Sequence, residues 1–222
     1  MLKPFFIIDN ENNQYIEIGV DEAGRGPMLG RVYSAAVILP RDSALFNHAL
    51  MKDSKQFHSV KKIREAATYI KQHAIAWHVS YSCEKTIDEI NIRNATHRAM
   101  HCAIDGVISN IKEKEFDNYH LLIDGNDFTP FISNNKDKIN ITHTCIEGGD
   151  NAYSAIAAAS ILAKVERDNY IEELCTQEPV LITKYDLLNN KGYGTKKHME
   201  GIEKYGISVF HRKSFGICKR FK

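Results

Sequence analysis

Four acidic residues stand in settings that metal chemistry needs. Asp21 and Glu22 lie side by side between an alternating apolar run, Ile16, Ile18 and Val20, and the glycine-flanked arginine Gly24-Arg25-Gly26. Asp124 ends the continuous apolar run Leu121, Leu122, Ile123 and precedes Gly125-Asn126. Asp150 follows Gly148-Gly149, ahead of an alanine-rich stretch. A pair of carboxylates about 4 Å apart repels by roughly 4 kcal/mol at an effective dielectric near 20, so acids gathered in a cleft call for a bound cation. Gly24 and Gly26 permit positive φ and close backbone approach, and the amides around Arg25 can face an anion such as a phosphate. The same residues also describe a solvated turn, and Asp124-Gly125 a plain one. Asp150 reads equally as a helix N-cap, a role compatible with ligand binding.

Hydrophobic periodicity supplies the frame for these residues. Residues 15–21 and 32–39 read as two strands, antiparallel neighbours joined by the acidic, glycine-rich turn. A helix is expected from about Val60 to Ile75, a third strand over Ala76–Cys83, and a long amphipathic helix through Ile87 and Val107. The run His120–Gly125 suggests a strand buried on both faces, as in a parallel sheet, which puts Asp124 at a carboxyl end where α/β sheets bind ligands. A fifth strand covers Ile139–Glu147, and Ala152–Cys175 is a helix apolar nearly all round, so it should lie buried on the sheet. On that helix Asp168, beside Arg167, reads as structural. Helical patterns recur near 180–188 and 196–205.

Other residues offer contacts rather than chemistry. Asp53 and Ser54 either cap the first helix or leave Ser54, with Lys55, to meet a phosphate. His97 and His101 have the i, i+4 spacing of metal ligands, but a metal site there is not expected. Tyr193, between Gly192 and Gly194 in a basic region, is either open for stacking on a base or sugar or packed on its own domain. His211-Arg212-Lys213-Ser214-Phe215 repeats the mixture of cation and aromatic.

Bulk properties narrow the class. With 222 residues, 43% hydrophobic and 26% charged, the chain can bury a sizeable core. It has no run of eighteen apolar residues, and Met1–Ile8 makes a poor signal peptide, so a cytoplasmic protein without membrane contact is expected. Five cysteines, odd in number and without a C-x-x-C pair, argue against a disulfide framework or a zinc site and for reduced, mostly buried thiols. From Lys191 to Lys222 nine Lys or Arg face two Glu, so this segment carries +7 and the residues before it −6. Such segregation suits a protein that holds a polyanion with one region and a divalent metal with another. The organisation expected is a core over 1–190 and a basic segment over 191–222 packed on it and contacting substrate.

Seven blocks in this order resemble the ribonuclease HII family, the prokaryotic type 2 ribonuclease H. They are Gly19-Val20-Asp21-Glu22-Ala23-Gly24-Arg25-Gly26-Pro27, Asp53-Ser54-Lys55, Ile123-Asp124-Gly125-Asn126, Gly149-Asp150, the helix Ala157–Val165 with Arg167-Asp168, Lys191-Gly192-Tyr193-Gly194-Thr195, and His211-Arg212-Lys213-Ser214-Phe215. The related ribonuclease HIII family carries an extra N-terminal domain, and the short stretch before the first core strand here favours HII. The resemblance implies a ribonuclease H fold, a mixed five-stranded sheet flanked by helices with a C-terminal helical portion. It implies that Asp21, Glu22, Asp124 and Asp150 hold two Mg²⁺ or Mn²⁺ ions for phosphodiester hydrolysis on the 5′ side of a ribonucleotide, leaving a 3′-hydroxyl. Glu22 fits least easily, because in a regular strand it points away from Asp21 unless the turn begins there or it acts through its carbonyl or a water.

The substrates implied are RNA/DNA hybrids and duplex DNA with embedded ribonucleotides, bound by a monomer. Gly24, Arg25 and Gly26 would meet the ribose 2′-hydroxyl and Tyr193 the next sugar, with Ser54, Lys55, Asn126, Lys164 and Arg212 as further substrate contacts. A non-catalytic nucleic-acid-binding module would lack one of the acids, and none is missing. Another two-metal nuclease of the same fold, acting on DNA alone, has no use for the Gly-Arg-Gly turn and Tyr193.

Overall fold

The computed structural model describes residues 2–6, 16–111, 119–132 and 141–221. Its centre is a five-stranded sheet in the order β3-β2-β1-β4-β5, where β1 is Ile16–Ala23, β2 Val32–Ile38, β3 Ala76–Ser82, β4 Tyr119–Asp124 and β5 Thr142–Ile146. The antiparallel pairing expected of β1 with β2 is present, and β3 adds antiparallel to β2. On the other side β4 runs parallel to β1, and β5 parallel to β4. Helices α1 (Val60–His73), α2 (Glu84–Ser109) and α3 (Ser154–Gln177) cover the sheet; α4 (Val180–Tyr185), α5 (Leu187–Asn190) and α6 (Lys196–Tyr205) follow.

Alternation along β1 divides its side chains between two layers. Ile16, Ile18 and Val20, with Leu121 and Ile123 of β4, pack on Met100, Ala103, Ile104 and Val107 of α2. The opposite face meets α3 and α1, where Ala35 and Val37 join the alanines of α3 and Ile63, Ala67 and Ile70 of α1. Every residue of α3 from Ser154 to Ala163 is buried, which explains why its sequence shows no polar face. The helix backbone touches the strand at Gly19, where a Cβ would lie 2.2 Å from the Ala155 carbonyl carbon and 2.6 Å from the Ile156 nitrogen. Farther along α3, Ile171, Leu174 and Cys175 gather Leu181, Tyr185, Leu187, Ile202, Cys218 and Leu29 into a second core that contains no strand residue. One helix therefore roots both the sheet and the C-terminal helices.

Several expectations need correction. β1 does not turn at Glu22: Asp21, Glu22 and Ala23 remain paired with Ala35, Ser34 and Tyr33, and the backbone reverses only at Gly24, whose φ is +94°. The long helix α2 is interrupted at Asn91, with φ 65° and ψ 164°, whose side chain accepts the N–H of Asn94 at 3.0 Å and so caps the stretch that follows. The pattern near 180–188 is broken at Asp186, which has φ 55° between α4 and α5. The expected starts of the first and fifth strands, at residues 15 and 139, lie outside the described residues. All five cysteines are free thiols, but only Cys175 and Cys218 are buried. No helix among the described residues is long and apolar enough to cross a membrane.

Gly19→Ala should destabilise the protein by about 1–3 kcal/mol, because the added methyl can be accommodated only by moving α3 away from β1. Urea unfolding checks this, and an unchanged midpoint would mean that the helix and strand are not held in contact there.

Candidate active site

Adjacent strands of the sheet bring the acids together. Val20 pairs with Ile123, so the next residues, Asp21 and Asp124, stand side by side at the carboxyl ends of two parallel strands. Both project to the face that α3 covers, since each lies one position beyond a residue packed on α2. Asp150 arrives from a short 3-10 turn, Gly149–Asn151, entered through Gly148 at φ 65°. A Cβ on Gly149 would crowd Ile156 Cδ1 at 2.5 Å and Asp124 Oδ1 at 3.3 Å, so this turn packs closely against the acid. The N-terminal residues pin the far side of this turn: Lys3 donates its N–H to the Ala152 carbonyl at 2.8 Å and accepts that of Ser154 at 3.0 Å. Carboxylate oxygens of Asp21, Asp124 and Asp150 lie within 4.8 Å of one another.

This cluster is electrostatically costly without a cation. Burial, then Glu22, then Asp124 raise the Asp21 carboxyl well above its ordinary value, despite hydrogen bonds from Ser160 and the Glu22 N–H. That amide donates to Asp21 Oδ1 at 2.6 Å. Asp150 is raised by burial, then by Asp124 and Asp53. Lys55 offers partial compensation, with its ammonium 3.8 Å from Asp150 Oδ2. Although burial acts in the opposite sense, Asp150, Asp53, Asp21 and Asp124 hold the Lys55 pKa above normal. The donor set is oxygen only, which suits a hard divalent ion such as Mg²⁺ or Mn²⁺.

Glu22 is not one of the three acids that can share an ion. Its carboxylate lies 3.5 Å from Arg25 Nη1, and the charges of Asp124 and Lys55 still act on it. Its pKa is raised by burial against the lowering influence of Arg25.

Beside the acids lies the Gly24–Gly26 loop. A Cβ on Gly24 would meet Arg167 Nε at 2.3 Å, and one on Gly26 would stand 3.4 Å from Tyr193 Cε1, so the tyrosine ring rests against this loop. Tyr193 is 49% exposed, with the Arg167 guanidinium 5.6 Å from its ring centre. Arg25 is half exposed.

The other residues expected to touch substrate are engaged elsewhere. Arg212 is fully buried; it donates to the carbonyls of Gly24 at 2.6 Å, Arg25 at 2.9 Å and Gly30 at 2.8 Å, so it shapes the loop from behind. Burial, then Arg167, push the Arg212 pKa down to about 9. Ser54 is buried, with its hydroxyl 2.9 Å from that of Ser160. Lys164 is ion-paired with Asp168 one helical turn away, and Asn126 donates to Glu147 at 3.0 Å. Asp53 does cap, accepting from the Lys55 N–H at 2.8 Å, but the segment capped is the 3-10 turn Ser54–Gln56 and not α1. His97 and His101 anchor the loop after β4 through Thr129 instead of joining the acids. Sequence reasoning missed Ser160 as a partner of Asp21, Arg167 as a support of Gly24 and Tyr193, and Asn151, which bonds Asp53 at 3.2 Å. Only Ser160 left a sequence signal, a hydroxyl in an otherwise apolar helix.

Comparison with known proteins decides the family. The profile described as Ribonuclease HII matches residues 18–218. The chain belongs to the ribonuclease HII family. It is 46% identical to ribonuclease HII of Parabacteroides distasonis over 91% of this chain and 90% of that one. It is 42% identical to that of Phocaeicola vulgatus over 98% and 94%. Among solved structures, the ribonuclease H2 of Pyrococcus horikoshii OT3 superposes with a TM-score of 0.70 at 23% identity, covering 92% of this chain and 96% of that one. Membership of the ribonuclease HII family makes the protein a metal-dependent hydrolase, an endonuclease acting on the RNA of RNA/DNA hybrids.

Because the Asp21 pKa is raised on folding, the native state binds that proton at a higher pH than the unfolded chain does. The ionised carboxylate therefore costs stability at neutral pH, and the cost disappears as pH falls through the native pKa. In chelator at neutral pH, Asp21→Asn should be more stable than the wild type by about 0.5–2 kcal/mol. The gain should shrink as pH falls toward the ordinary carboxylate range, and saturating Mg²⁺ should stabilise the wild type more than the variant. Thermal melts check both; a variant no more stable in chelator would mean that the acids do not oppose folding.

Proposed function

We propose that this ribonuclease HII family member cuts both the RNA strand of RNA/DNA hybrids and the 5′ side of a single ribonucleotide embedded in duplex DNA, with two divalent ions. The observation that carries this reading is the convergence of three carboxylates at the end of the strand that leads into the Gly24–Gly26 loop, with Tyr193 resting against Gly26. Asp21, Asp124 and Asp150 would hold the ions, with Glu22 completing the set from the neighbouring strand position. Bound there, Mg²⁺ or Mn²⁺ supplies activation of a water and stabilisation of the departing 3′-oxygen.

The protein's own groups supply selection. Carbonyls of Gly24 and Arg25 are held by Arg212, which leaves the loop's amides to meet a ribose 2′-hydroxyl. A site built to bond a hydroxyl leaves its polar groups unpaired when DNA enters and can discriminate by a factor of about ten thousand. Tyr193, exposed and set against Gly26, would lie on the following deoxyribose, making the RNA-to-DNA junction the preferred point of attack. Lys55, with its side chain 81% exposed beside Asp150, would hold a phosphate of the substrate there. The basic segment 191–222 serves this reading through its backbone carbonyls and the buried Arg212 as much as through net charge, and Lys191 is paired with Glu172 at 3.2 Å.

Cleavage-site mapping on a duplex with one ribonucleotide tests the reading. A cut on the 5′ side that requires divalent metal, no cut in an all-DNA duplex, and turnover lowered by at least about a thousandfold in Asp124→Asn are the expected results. Cleavage of all-DNA duplex would instead identify a DNA nuclease of this fold. Tyr193→Ala should lower kcat/KM on the single ribonucleotide by about tenfold or more while cutting within long hybrids falls less. Equal losses would remove Tyr193 from junction recognition.

A further inference from the structure

Two imidazoles that the chemistry does not use lie buried next to the recognition elements. His198 and His211 are 0% and 1% exposed, with their Nε2 atoms 3.1 Å apart. At one end of the pair, His211 Nδ1 accepts the Ser208 N–H at 2.9 Å. At the other, His198 Nδ1 lies 2.9 Å from the Tyr193 carbonyl. A backbone N–H only donates and a carbonyl only accepts, so the two ends dictate every proton between them. His211 carries its hydrogen on Nε2 and gives it to His198 Nε2; His198 carries its own on Nδ1 and gives it to Tyr193. The arrangement works only with both rings neutral, since one more proton would set two N–H groups against each other. Burial, then the His198 ring, keep His211 neutral by pushing its pKa down to about 3.

The next residue acts on the other recognition element. Arg212 bonds the carbonyls of Gly24, Arg25 and Gly30, and its own N–H donates to Met28 at 2.8 Å. Met28 in turn donates its N–H to the Gly192 carbonyl at 2.8 Å, and Gly30 donates to Phe210 at 2.9 Å. Consecutive residues of one turn thus reach the backbone of the tyrosine loop and the backbone of the Gly24–Gly26 loop.

We infer that His211, acting through His198, is a positioning and specificity-determining residue: with Arg212 it sets where Tyr193 stands relative to the Gly24–Gly26 loop, without itself touching substrate. The inference rests on the proposed role of these two elements in junction recognition. The length of the gap between them is what a rigid turn at 208–212 would fix, and misplacement by a fraction of an ångström would cost discrimination before it cost hydrolysis, because the three acids lie on other elements.

The test compares His211→Phe, which keeps a buried ring but breaks the proton chain, with His211→Gln, which can still donate to His198. His211→Phe should lower kcat/KM on a duplex with one embedded ribonucleotide by about tenfold or more, and should change kcat/KM on a long hybrid by no more than about twofold. His211→Gln should recover most of the lost discrimination. Hydrogen exchange on the full chain gives a readout independent of substrate: His211→Phe should quicken exchange in residues 191–195 and 24–30 together. Equal losses on both substrates while Tyr193→Ala remains selective, or unchanged exchange in either loop, would overturn the inference. If Tyr193→Ala proves unselective, the reading of Tyr193 fails instead, and the exchange measurement alone decides whether the turn couples the loops.

Discussion

Mutual repulsion among Asp21, Asp124 and Asp150 is the constraint that the rest of the fold has to overcome. Left to themselves, three carboxylates within 4.8 Å would separate or take up protons. The sheet prevents separation, because Asp21 and Asp124 end neighbouring parallel strands whose register is locked through five paired positions. The third acid sits on a turn braced by Lys3 on one side and by the start of α3 on the other. Burial of the apolar faces on both sides of the sheet supplies the stabilisation that this arrangement consumes, and α3, packed backbone to backbone on β1 at Gly19, is its firmest part.

A second kind of constraint shapes the loop beside the acids. There the buried charges are positive, on Arg167 and Arg212, and their partners are mostly backbone carbonyls. A guanidinium removed from water needs most of its donors satisfied, and a cluster of carbonyls facing one way needs a cation. Arg212 meets both requirements at once, so it holds the loop from Gly24 to Gly30 in one shape. The acids call for a cation from solution, whereas the loop carries its own.

Most of the frame was legible in the sequence, and the reasons are specific. Ile16, Ile18 and Val20 alternate because β1 is buried differently on its two faces, and Leu121 to Ile123 run without a break because β4 is buried on both. The three clustered acids stood out because each ends an apolar run or follows glycines. What was not legible is what side chains do at long range. Arg212 reads as a surface cation because its partners lie 182 to 188 residues away, and Ser54 reads as free because Ser160 meets it only once α3 is packed; the Lys164 pair with Asp168 is local to the helix. The turn after Asp21 was placed too early because nothing local shows that Glu22 still has Ser34 across from it.

The span of the Arg212 bonds has a consequence for biosynthesis. Strands β1 and β2 and the helices that cover them can assemble while later parts of the chain are still being made, but the carbonyls of Gly24 and Arg25 wait for a guanidinium near the opposite end of the sequence. The loop beside the acids therefore takes its final shape only once the residues around 212 have joined the fold.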